Sequence, residues 1–181
     1  MRFIVLVGLL AFGGCSSIDL DPRVPEGFDL SGRWRLNSAM SDQSPDPRAL
    51  RGEPREVARR ERAGLAQSSP RGGSGAMKFI VQDFPILAAN SLDIEQNEDS
   101  MGVKYDHGAY RDVSWGYRER GIWEVWAGWE EGVLVILSEA NDVKAREALA
   151  LEPGGERLVV DLQVRAERRD VNLRRVFDRV R

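Results

Sequence analysis

Residues Arg111 to Leu137 read R-D-V-S-W-G-Y-R-E-R-G-I-W-E-V-W-A-G-W-E-E-G-V-L-V-I-L, and their alternation decides the fold class. Val113, Trp115 and Tyr117 fall on one face of an extended chain. A turn at Gly121 leads into Trp123, Val125, Ala127 and Trp129 at the same spacing, and Glu130, Glu131 and Gly132 turn the chain again into Val133, Val135 and Leu137. Successive side chains of a strand point to opposite faces, so a period of two marks half-buried β structure. Short runs of this kind separated by glycine and acidic turn residues predict antiparallel hairpins.

The same rhythm continues on both sides. Upstream, Leu92, Ile94 and Gln96 alternate before a turn at Asn97 to Ser100, and Met101, Val103 and Tyr105 alternate before Asp106-His107-Gly108. Downstream, Asn141 and Asp142 precede Lys144 to Leu151, then Pro153, Gly154 and Gly155 precede Leu158 to Ala166, and Val171 to Arg179 closes the chain. Leu30, Gly32, Trp34 and Leu36 supply a first strand within Asp29 to Leu36. No helix of convincing period interrupts the second half, so sequential antiparallel pairing is favoured over parallel βαβ units. A meander must hide its edges, and closing on itself does so. The predicted class is therefore all-β: an antiparallel up-and-down meander closing into a barrel of about eight to nine strands, with a two-sheet sandwich as the other solution.

Length and composition agree with one domain. The chain has 181 residues, a formal net charge of −3, a single cysteine and a single histidine. That acidity gives no electrostatic reason for binding nucleic acid. Residues 28–181 are expected to form one β domain. Within it, about 44–77 is rich in Pro and Gly and poor in large apolar residues, which predicts a flexible insertion. Arginines between Arg48 and Arg71 outnumber the acids there and make it locally basic.

The N-terminus carries an address. Arg2, an apolar run from Phe3 to Phe12, then Gly13 and Gly14 lead to Cys15. The run is too short to span a bilayer. It resembles a bacterial lipoprotein signal peptide, residues 1–14, after which Cys15 would become the lipidated first residue, carrying acyl chains such as palmitate. Phe12 stands where the lipobox usually has Leu. Ser16, rather than Asp, implies the outer membrane, with the protein facing the periplasm. Residues 15–27, polar and broken by Pro22 and Pro25, read as a lipidated tether.

Gly32-Arg33-Trp34 resembles the G-x-W signature of lipocalins, whose Trp closes one end of the barrel beneath a cation from near the last strand. That resemblance implies barrel-closing roles for Gly32 and Trp34 and names Arg174 or Arg175 as the cation over the ring. A wider likeness, carried by Asp29 to Asp42, Leu92 to Gln96 and Arg174 to Arg179, is to uncharacterised bacterial lipocalin-like envelope proteins often found as lipoproteins. It implies a fold and a compartment and no catalytic residue.

The residues argue for binding over catalysis. With Cys15 committed to lipid, neither a thiol nucleophile nor a disulfide remains. His107 sits in a turn signal, a single histidine cannot build a conventional zinc site, and Gly72 to Ala76 lacks the last glycine of a nucleophile elbow. No glycine-rich phosphate loop follows a strand. We therefore expect no enzyme, no metal and no cofactor. Trp115, Tyr117, Trp123 and Trp129 are the candidate lining for a small apolar or lipid-like ligand. Trp126, on the opposite face, is a candidate surface for an envelope protein. The expected function is a non-enzymatic outer-membrane lipoprotein that binds such a ligand in its barrel; the alternative is a structural or assembly lipoprotein that docks a protein partner through its surface.

Overall fold

The computed structural model describes residues 18–44, 83–166 and 169–181. Cys15, the leader and the insertion from residue 45 onward lie outside the described residues. Among the described residues ten strands form: β1 (Gly32–Leu36), β2 (Ser91–Gln96), β3 (Ser100–Tyr105), β4 (Tyr110–Ser114), β5 (Gly116–Arg120), β6 (Trp123–Glu130), β7 (Val133–Ala140), β8 (Val143–Leu151), β9 (Arg157–Ala166) and β10 (Arg169–Val180). A short 3-10 turn, Pro85–Leu87, leads into β2.

All ten strands belong to one sheet in the order β4-β3-β2-β1-β10-β9-β8-β7-β6-β5. A single sheet excludes the sandwich. Every neighbouring pair is antiparallel, and β1 and β10, from the two ends of the chain, pair in the middle. The edges are β4 and β5, consecutive in sequence, so the sheet curls into a nearly closed barrel with a seam between them. Leu20 to Pro22 lie against the β5–β6 side of that seam, beside Gly128 and Gly116. Asp21 forms an isolated bridge with Trp129, at the β6 edge beyond the start of β5, through N–H···O bonds of 3.1 and 2.7 Å.

The count exceeds the expected eight or nine because Arg111 to Tyr117 is two strands. Gly116 adopts φ +80°, a left-handed conformation open to glycine, and the chain leaves β3 for β6 at that point. The break resets the alternation. Val113 and Trp115 face the core, whereas Tyr117 pairs with Trp126 on the outer face.

On β7 the core side is Leu134 and Ile136 rather than the expected Val133, Val135 and Leu137, since Leu137 lies opposite the outward Trp126; the alternation is cleanest on β9. On β9, Leu158, Val160, Leu162, Val164 and Ala166 are all buried. They join Trp34, Phe84, Ile94, Leu134 and Phe177 in a continuous core inside the barrel. Each large side chain taken fully from water contributes about 1.5–3 kcal/mol, so these inward faces drive the closure. Hairpin chemistry sets the register: Glu131 and Gly132 both have positive φ between Glu130 and Val133, a two-residue turn whose twist matches the flanking strands.

Candidate functional site at the barrel seam

At one end of the barrel Trp34 is fully buried and its indole Nε1 donates to the Leu30 carbonyl at 2.9 Å. The cation over its ring is Arg179, with Cζ 4.2 Å from the ring centroid. This corrects the expectation that Arg174 or Arg175 stands there. The register sets Trp34 opposite Arg179, several residues further along β10. Arg179 is fixed by the carbonyls of Gly155 at 2.7 Å, Ser31 at 2.5 Å and Asp29 at 3.1 Å. Gly32 takes φ +126°, and a Cβ there would lie 3.0 Å from Arg179 Nη1. Arg174 points outward to Asp161 at 3.5 Å.

Arg175 is buried and ties down both flanks of the insertion. Its guanidinium donates to the Ala89 carbonyl, to Ser44 Oγ at 3.0 Å and to the Asp42 carbonyl at 3.4 Å. Burial pushes its pKa down, while Asp106 and Asp42 pull it back. Nearby, His107 Nε2 lies 3.1 Å from the Pro85 carbonyl, which can only accept, so that nitrogen carries the proton. His107 thus clasps the 3-10 turn.

The four aromatic candidates do not gather around one space. Trp115 and Trp129 are buried edge to face, 4.7 Å apart, with Phe28 5.8 Å beyond. Trp123 sits at the other end of β6, against Phe84 at 5.6 Å, and donates through Nε1 to Asp83 Oδ2 at 3.1 Å. Tyr117 is 43% exposed on the outer face, packed on Trp126 at 5.2 Å, which removes it from the expected lining.

Among the described residues the interior is closely packed. Its cavity, bounded by Ile86, Met101, Tyr105, Arg111, Ile136 and Glu147, measures about 20 Å³. That holds about one water and no acyl chain. Arg111 Nη1 meets Glu147 Oε1 there at 2.5 Å. Burial would lower the Arg111 pKa, but Glu147 and Tyr105 outweigh it and raise it. The Tyr105 hydroxyl is pushed up to about 12, chiefly by burial, with Arg111 opposing and Glu147 adding to the rise. Sequence reasoning missed this cluster. Its signal is a charge on the inward parity: Arg111 two residues before Val113, and Glu147 between Ala145 and Leu149.

The seam holds a cleft of about 450 Å³ between β4 and β5 that is floored by Phe84, Trp123 and Val125 and flanked by Arg111, Arg118 and Arg120. Arg120 crosses it, donating through Nη1 to the Asp112 carbonyl at 3.0 Å. Among the described residues no cluster of His, Cys, Asp or Glu is placed to hold a metal ion, and no helix is long and apolar enough to cross a membrane. The cleft combines an aromatic floor with charged walls. Such a surface suits holding a small amphipathic molecule.

No protein-family model matches the chain, and no curated protein matches it in sequence. Among solved structures it is similar to one titled REP1-NXSQ fatty acid transporter, with a TM-score of 0.51 at 14% identity over 84% of this chain and 97% of the other. It is also similar to the wild-type fluorescent protein UnaG, with a TM-score of 0.50 at 16% identity over 83% and 97% of the two chains. At these identities the likeness shows the fold: a lipocalin-like β-barrel.

Proposed function

We propose that this chain is a lipoprotein of the bacterial envelope, held at the periplasmic face of the outer membrane through acylated Cys15, and that it binds a small apolar or lipid-like ligand without chemically altering it. The seam cleft carries this reading: at about 450 Å³ it is of ligand size and reaches the apolar side chains Phe84, Trp123 and Val125, whereas the interior cavity among the described residues has about 20 Å³. The ligand therefore seats at the seam rather than along the barrel axis. The barrel titled a fatty acid transporter lends support through its fold. So does the docked N-terminal segment: from Cys15 to Asp21 an extended chain reaches at most about 20 Å, which would hold the barrel beside the bilayer.

The test has two arms. Native mass spectrometry and tryptophan-fluorescence titration with fatty acids and other lipids should show saturable one-to-one binding; a barrel indifferent to all of them overturns the ligand. Globomycin should block processing of the wild type, and Cys15→Ala should abolish membrane fractionation; an unchanged distribution overturns the anchor. The outward pair Tyr117 and Trp126 supports a second reading, a structural or assembly lipoprotein that docks an envelope protein, and periplasmic crosslinking from Trp126 that captures no specific partner would remove it.

A further inference from the structure

We infer that the seam cleft selects amphiphiles with an anionic head, a carboxylate or a phosphate, which Arg118 and Arg120 bind while the apolar body lies on Phe84, Trp123 and Val125. This rests on the reading of the seam as a ligand site and adds the head-group chemistry and its location.

The argument begins with parity. In the β5–β6 register Arg118 stands opposite Val125 and Arg120 opposite Trp123, so both arginines share the face that looks into the cleft. The acids beside them are turned the other way. Glu119 shares the outer face with Tyr117, whose hydroxyl donates to Glu119 Oε1 at 3.0 Å, and Asp112 lies between the inward residues Arg111 and Val113 on β4. Two adjacent strands thus sort their charges, cations inward and carboxylates outward.

The cations are also available. Neither Arg118 nor Arg120 forms an ion pair with a described residue. Each uses Nη1 on one backbone carbonyl, Tyr117 at 2.8 Å and Asp112 at 3.0 Å. A guanidinium carries five N–H donors, so both retain donors for an oxyanion. Arg111, by contrast, is spent on Glu147 in the interior. Asp83, Asp112 and Glu119 also line the cleft, but Asp83 already accepts from Trp123 Nε1, Glu119 accepts from the Tyr117 hydroxyl, and strand parity turns the Asp112 side chain to the outer face. The inward balance therefore favours an anion. The floor supplies what a free anion has no use for: Phe84 and Trp123, edge to face at 5.6 Å, with Val125 beside them.

The experiment uses the full chain carrying Cys15→Ala, with isothermal titration of decanoate, decyl phosphate, decanol and inorganic phosphate. We expect decanoate and decyl phosphate to bind at least ten-fold more tightly than decanol, and the gap to shrink as salt is raised. Arg118→Gln with Arg120→Gln should bring all three amphiphiles within about two-fold of one another, with an unchanged melting temperature. Decanol binding as tightly as the anions, with no effect of the double variant, overturns the head-group assignment and leaves the ligand reading standing. Inorganic phosphate binding as tightly as decyl phosphate marks a plain anion site and overturns the amphiphile. If no amphiphile binds, the ligand reading itself falls.

Discussion

Arg111 on β4 and Glu147 on β8 meet at 2.5 Å inside the barrel although their strands share no ladder, so one ion pair joins opposite walls through the core. Only 11% and 4% of the two side chains is exposed. Removing one partner leaves the other charged and buried, which costs about 3–5 kcal/mol. Glu147→Gln should therefore lower the urea midpoint sharply. Arg111→Met combined with Glu147→Leu should recover most of that loss. A double variant as unstable as the single one would show that the two charges are not coupled.

Tyr105 predicts an alkaline limit. Its pKa near 12 in the barrel, against about 10 unfolded, means that the folded state keeps a proton the unfolded chain has lost. That contribution is complete below about pH 10 and disappears as pH rises through about 12, a loss on the order of 2 kcal/mol. Urea midpoints for the wild type should fall more steeply over this range than those of Tyr105→Phe. Parallel pH profiles for the two proteins would refute the assignment.

Two glycines separate a cheap clash from an expensive one. A Cβ at Gly102 would lie 2.5 Å from the Tyr110 hydroxyl, the far end of a side chain that is 63% exposed and free to swing away. A Cβ at Gly128 would lie 2.7 Å from the backbone oxygen of Asp21 and 2.9 Å from Leu20 Cβ. Gly102→Ala should be nearly neutral in thermal melting. Gly128→Ala should displace the Asp21–Trp129 bridge, lower stability by about 1–3 kcal/mol as overpacked sites do, and open residues 18–24 to limited proteolysis.

The cation over Trp34 can be checked by comparing arginines on one strand. Arg179→Gln removes the charge above the ring and should cost about 1–2 kcal/mol, whereas Arg174→Gln, at an exposed pair with Asp161, should stay within about 0.5 kcal/mol. Equal effects in chemical denaturation would mean that the stacking contributes nothing.

Alternation made the strands legible because half-buried antiparallel sheets write it into every second residue, as Leu158 to Ala166 shows. Turn residues such as Gly132 marked the hairpins for the same reason. Register and topology were not written locally. Nothing near Trp34 says which residue of a distant strand will cover it, so Arg179 was missed by a few positions. The break at Gly116 was hidden because a glycine inside an alternating run reads equally as a strand residue or a kink, and with it went the face of Tyr117. The seam escaped for a related reason: a cleft between two edges exists only once the order of strands is known.

The pairing of β1 with β10 constrains how the molecule is made. β5 through β10 can zip up as successive hairpins, each contact forming between residues close in sequence. Trp34, in contrast, meets Arg179, a residue far along the chain from it. Contacts of such separation form slowly, because a long loop must close first. The β1–β10 ladder, which joins two runs of sequential hairpins, thus forms after them, and until it does β1 is paired on one edge alone, with β2.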